Sequence, residues 1–231
     1  MQQAKPPPSA AQAELEKLQN DLSQRQQVLF KDLQKLKESD QEKAYQALSA
    51  KLFTEFWPKY KALIKKSKGG VQVRARLAAL QIVQMGNKPA LADQLVADMI
   101  RENRDLPESA QLAMSLRYSV YDPAKKSKAL SQILALAKSK NVTVQAAALY
   151  AQAEITKDTN AKASVPLYRQ VLAKYPTTEY AKQAKGAIFE AENLQVGMVA
   201  PEITGPDHED KTFKLSEYRG KVVILDFWGF W

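Results

Sequence analysis

The sequence contains no cysteine, so its 231 residues offer no disulfide, no zinc–thiolate site and no thiol nucleophile. Histidine occurs once, at His208, which excludes a multi-histidine metal site and any acid–base set that needs two imidazoles. Glycine is scarce at 8 residues while helix formers abound, which predicts a mostly helical body. No apolar run reaches the roughly 20 residues that a transmembrane helix requires. The opening MQQAKPPPSAAQ lacks the apolar stretch of a signal peptide and reads as a Pro-rich tether over residues 1–13. A secreted protein after signal removal looks the same, so composition leaves the compartment open.

Positive charge is in excess, with a formal net charge of +9. Basic chains often meet nucleic acid or anionic lipid. Here the lysines are scattered beside Glu and Asp along helical segments, as on a solvated surface, and no nucleic acid partner is expected. The two densest clusters, Lys65-Lys66-Ser67-Lys68 and Lys125-Lys126-Ser127-Lys128, are expected at helix ends where cations complement the dipole.

From Ser9, a suitable N-cap, an amphipathic helix is predicted to about Glu38. Leu15, Leu22, Leu29 and Leu36 recur at heptad spacing, with Leu18 and Leu33 between them. The stripe fits a coiled coil or a helix packed on its own neighbour, and Arg25 in an apolar place favours the neighbour. Asp40 is expected to cap the next helix, and Pro58 to kink or interrupt it after Trp57, which gives a long helical hairpin over residues 14–69. Gly69-Gly70 marks a firm break. Shorter helices follow from about Val71 to Met85, from Pro89 to Asn103, from Pro107 through Leu112 and Leu116, and from Asp122-Pro123 through Leu130, Ile133, Leu134 and Leu136. Each is too short and one-sided to stand alone, so they must stack.

Residues 147–194 read helix, turn, helix, Pro-centred turn, helix, with Leu167, Tyr168, Val171 and Leu172 on the inner face and Thr177 or Thr178 as a cap. The stretch LYRQVLAKYPTTEYAKQA resembles a tetratricopeptide-like unit, which assigns a helical repeat region to residues 70–194. Such arrays bind peptides or proteins on a concave face, while helices that merely pack on each other fit the pattern equally.

After Asn193 the turn residues Gly197, Pro201, Gly205, Pro206 and Gly220 crowd together. Glu202–Thr204 and Lys211–Lys214 are predicted as short strands around GPDHED, Leu215–Tyr218 as one helical turn with Ser216 available as its cap, and Lys221–Phe227 as a buried strand. His208 sits between Asp207 and Glu209 and reads as a solvated turn residue, and contiguous acids in a hairpin tip seldom converge on one cation.

Gly197, Ala200, Pro201, Leu215, Ser216, Tyr218, Gly220, Lys221, Phe227, Trp228 and Trp231 fall in one order, within VGMVAPEI through LSEYRGKVVILDFWGFW. In that order the segment resembles the opening of a thioredoxin-fold redoxin of the TlpA-like and alkyl hydroperoxide reductase/thiol-specific antioxidant group. The resemblance covers about residues 195–231 and implies the first β-hairpin and strand of a thioredoxin-like α/β domain. It implies thiol–disulfide exchange, with a disulfide-containing protein or a peroxide as substrate, no bound cofactor and an extracytoplasmic, envelope-facing location. In the family a nucleophilic cysteine follows the motif's second Trp at a helix N-terminus, where the dipole lowers its pKa. Pro201, Phe227, Trp228 and Trp231 are therefore expected to border the active site and carry no catalytic role themselves. The sequence is expected to be a fragment of a longer protein or a naturally shortened one. The fold class expected is mostly α, a helical-repeat region followed by the start of a redoxin domain. The other reading is a non-catalytic helical-repeat interaction module.

Overall fold

A computed structural model describes residues 8–229. Among them lie nine α-helices and one two-stranded antiparallel sheet.

Ser9 starts helix α1 (Ala10–Leu33) as expected, its Oγ accepting from the Gln12 N–H at 3.2 Å. Leu15, Leu18, Leu22, Leu29 and Leu33 are buried along one stripe. The helix stops short of Glu38, so Leu36 falls in the connection and stays 41% exposed. Helix α2 (Glu38–Lys66) returns antiparallel, because Glu14 pairs with Lys66 at 2.6 Å while Arg25 approaches Glu55 at 3.7 Å. The leucine stripe thus packs within the chain, and Arg25 sits at its solvated margin.

The start of α2 differs from expectation, and of the two outcomes expected at Pro58, a kink or an interruption, the interruption does not occur. Lys37 occupies the N-cap position without a side-chain bond, and Asp40 lies inside the first turn, where its charge faces the positive end of the dipole. Pro58 does not interrupt the helix. An interior proline costs about 3 kcal/mol. Phe56, Tyr60 and Leu63 straddle it and are fully buried. At about 1.5–3 kcal/mol each, their burial outweighs that cost. The Tyr60 hydroxyl finds no hydrogen-bond partner among the described residues, and burial pushes its pKa up to about 12.

Gln72 closes the connection to helix α3 (Gly69–Met85), donating from Nε2 to the Ile64 and Ser67 carbonyls at 3.0 Å each. Helix α4 (Pro89–Glu102) follows the Gly86-Asn87 turn, in which Asn87 takes a left-handed φ of 51°. Glycine at position 86 is required by contact, since a Cβ there would lie 2.6 Å from the Phe53 ring. Past a 3₁₀ turn (Pro107–Ser109) come α5 (Ala110–Ser119), α6 (Pro123–Ala137), α7 (Val142–Thr159), α8 (Ala161–Lys174) and α9 (Glu179–Asn193). Asp122, Asn141, Asn160 and Thr178 cap α6 to α9 with side-chain oxygens. Of the apolar residues named above for α6, Leu134 is 52% exposed, while Ile133 and Leu136 carry the buried face. The Lys125–Lys128 cluster opens α6 rather than closing a helix. That unfavourable end is offset by Lys125–Asp122 at 2.8 Å and Lys128–Asp93 at 2.6 Å.

Helix α7 is the hub, packing on α5, α6, α8 and α9. Its buried Ala146, Ala147, Ala148, Ala151 and Ala153 let those neighbours approach closely. A large cluster unites buried residues of α1 through α7, and a smaller one joins Tyr150 of α7, Tyr168 and Val171 of α8, and Ala184 and Ala187 of α9.

Strands β1 (Thr204–Pro206) and β2 (Thr212–Lys214) pair with Gly205 opposite Phe213, so β1 lies two residues later than expected. Lys221–Phe227 forms no strand. It joins neither outer edge of the sheet, in which β1 and β2 pair only with each other and span three residues apiece. Val222 is 98% exposed, Ile224 90%, Phe227 81% and Trp228 70%. None of residues 195–229 is buried. A chain cut after Asn193 is therefore expected to keep the helical circular dichroism spectrum and to melt cooperatively within about 2 °C of the full chain. A disordered spectrum from that fragment would contradict the arrangement.

Candidate functional site

Pro201 borders a shallow hollow of about 300 Å³ with Ala200, Glu202, Leu215, Ser216 and Arg219. Glu202 organises it. Its Oε1 accepts from the Ser216 N–H at 3.0 Å and the Ile203 N–H at 3.1 Å, and the Leu215 N–H donates to the Ile203 carbonyl at 2.9 Å. The bonds from Ser216 hold the Glu202 carboxyl below its usual range. Ser216 is consequently not the cap that its position in sequence predicts. Lys214 takes the cap position of the 3₁₀ turn Leu215–Tyr218, and Glu202 satisfies the Ser216 amide from outside. The Ala200-Pro201-Glu202 and Leu215-Ser216 pieces of the motif, remote in sequence, are thus stitched together. Phe227 and Trp228 are not in the lining of this hollow, and Trp231 lies outside the described residues.

His208 is exposed in the hairpin turn, 3.8 Å from Glu209. Asp207 spends its Oδ1 on the Glu209 and Lys211 amides at 2.9 Å each, which shapes the turn.

A larger feature lies on the helical body. A cleft of about 670 Å³ opens between α3 and α5, lined by Arg74, Leu77, Gln81 and Gln84 on one side and by Gln111, Met114 and Tyr118 on the other. It continues toward α4 and α6 as a second hollow of about 310 Å³ that shares Leu80, Gln84, Ser115 and Lys125. These volumes are those of ligand clefts. The helices part here because α3 packs on α2 and α4 while α5 packs on α6 and α7, and the 3₁₀ turn at Pro107–Ser109 touches both.

The arginines near the cleft differ in their partners. Arg76, on the opposite side of α3, is buried and held by Glu102 and Asn103, and Asn103 in turn donates to Gln72 at 3.2 Å. Arg117 is paired with Glu154. Arg74 has no ion-pair or hydrogen-bond partner among the described residues, and its Nε is buried without an acceptor. Sequence reading did not single out Arg74. Its signal is there in retrospect: Arg74, Gln81 and Gln84 repeat at helical spacing along one side of α3, as Gln111, Ser115 and Tyr118 do on α5.

Among the described residues no helix is long and apolar enough to cross a membrane. The chain shows no match to any family model, curated protein or solved structure.

Proposed function

We propose that this chain is the front part of a thioredoxin-like thiol–disulfide oxidoreductase of the redoxin group, with the helical region engaging the partner or substrate. The observation that carries the reading is the exposed apolar run from Val222 to Trp228, directly after the stitched Ala-Pro-Glu and Leu-Ser pieces of the redoxin-like motif. Such a run is stable only as an interior strand with neighbours on both edges, which is the place that the motif's order assigns to it. The helical region, tetratricopeptide-like at about residues 146–194, then serves as the docking body, and the exchange proceeds in an envelope-facing compartment through a mixed disulfide.

The 231 residues carry no cysteine and are expected to reduce no insulin disulfide and consume no peroxide. The test is the intact mass of the polypeptide isolated from its source, with peptide mapping beyond Trp231. A mass well above that of the 231 residues, with a Cys-x-x-Cys peptide adjoining Trp231 and dithiol-dependent insulin reduction, is the expected result. A mass equal to that of the 231 residues refutes the oxidoreductase reading. It favours the second one, a non-catalytic helical interaction module, for which the α3–α5 cleft is the specific support.

A further inference from the structure

We infer that the α3–α5 cleft binds an extended, acidic segment of a partner protein, with Arg74 receiving a carboxylate side chain and the surrounding glutamines receiving its backbone. The inference rests on the helical region's role as a partner-binding body, which both readings above share, and names the chemistry of that partner.

Three features fix the occupant. The first is charge. Lys125 and Lys128 at the cleft are already paired with Asp122 and Asp93, and the Lys88 ammonium lies over the Phe53 ring at 5.5 Å. Arg74 is the cleft cation left without an acid or a ring among the described residues, and a guanidinium in that state fits a carboxylate through two parallel hydrogen bonds.

The second feature is the amide ladder. The side-chain amides of Gln81, Gln84 and Gln111 line the cleft and make no hydrogen bond among the described residues. A glutamine amide offers one carbonyl and one NH₂, the complement of a peptide unit. From Arg74 to Gln84 the stripe runs about 15 Å along α3 at the α-helical rise. An extended chain covers that distance with about five residues. Exposed Tyr118 and half-buried Met114 on the α5 side supply apolar contact for alternate side chains.

The third feature excludes competitors. A second copy of a chain carrying +9 is disfavoured at this cleft in particular, because the group left without an acid there, Arg74, is itself a cation. Single-stranded nucleic acid needs a continuous basic track, whereas Asp93 and Asp122 stand on this rim and neutralise its lysines.

The test uses the whole chain and two pools of fluorescein-labelled heptapeptides, capped at both ends and identical except for a central Glu or Gln. By fluorescence anisotropy the Glu pool is expected to bind about tenfold more tightly. Arg74→Gln is expected to erase that preference, and Lys185→Gln, on an exposed face of α9, to leave it intact. Should Arg74→Gln unfold, the double variant Gln81→Ala, Gln111→Ala provides the second measurement: both pools weaken by about threefold while the Glu preference persists. Equal affinity for the two pools overturns the inference, as does no binding by either. So does a preference that survives in a folded Arg74→Gln variant, an unaltered affinity in the glutamine double variant, or tighter binding of a seven-nucleotide oligo(dT) than of the Glu pool. A negative dithiol assay bears only on the oxidoreductase reading and leaves this one standing.

Discussion

Glu154→Ala is expected to destabilise the helical body by about 2–3 kcal/mol and to lower its melting temperature by roughly 5–10 °C. The carboxylate sits on α7 where three helices meet. It accepts from the Tyr168 hydroxyl of α8 at 2.6 Å, pairs with Arg117 of α5, and also bonds to Tyr150 one turn earlier on its own helix. The Tyr150 ring in turn lies against Tyr168 and Tyr180, with centroids 5.6 and 5.8 Å away. Removing the acid leaves a guanidinium only 20% exposed and the Tyr168 phenol without its acceptor. Burial alone would push the Glu154 carboxyl up, but the Tyr168, Tyr150 and Arg117 bonds outweigh it and the pKa falls below its ordinary 4.5. Both tyrosines shift upward, chiefly by burial, with Glu154 holding their protons as donors. A depressed carboxyl stabilises the fold fully above its unfolded pKa and loses that contribution as pH falls through the folded one. The gap in urea midpoint between the parent chain and Glu154→Gln should therefore be widest near neutrality and shrink below about pH 4.5. Equal midpoints at pH 7 would show that the three helices are held by apolar packing alone.

The helical part was legible from the sequence because its signals are local. Ser9, Asp122 and Thr178 cap the helices that their positions announce, and Gly86-Asn87 ends α3 where expected. The failures arise where a distant contact decides. Asp40 has the chemistry of a cap, yet the chain enters α2 two residues earlier. Pro58 breaks a helix by local rules, and the burial of Phe56, Tyr60 and Leu63 on either side overrides them. Lys125 and Lys128 look suited to a helix C-terminus, but Asp93, from another helix, and Asp122 hold them at an N-terminus. The cleft was invisible for the same reason. Nothing in the sequence says that Arg76 finds Glu102 while Arg74, two residues away, finds no acid among the described residues. Of the motif, the Glu202–Ser216 bond joins two pieces whose order alone suggested kinship, whereas Pro201 and Phe227–Trp228 are not brought to one hollow.

At micromolar concentration the 231-residue chain is expected to self-associate through residues 222–228, and Ile224→Lys with Phe227→Lys to return it to a monomer in sedimentation velocity. Val222, Ile224, Phe227 and Trp228 are each at least 70% exposed. Burying side chains of this size releases about 1.5–3 kcal/mol apiece, so four of them together reach about 6–12 kcal/mol. That range overlaps the cost of fixing two molecules together, about 4–15 kcal/mol, which places association at accessible concentrations rather than beyond them. The segment is β-branched and aromatic and forms no strand, and a composition of this kind adds to a sheet edge. Asp226 is the only charge within residues 222–228, with Lys221 just before them, so apolar residues dominate the segment. The double substitution should leave the helical circular dichroism unchanged, since none of the described residues past Asn193 is buried in the body. In the longer redoxin proposed above, the same segment would be an interior strand, so its amides should exchange slowly with deuterium there and rapidly in the monomeric double variant. Slow exchange in that monomer would mean that the segment is covered within the 231 residues themselves, and the apolar run could then no longer support the oxidoreductase reading.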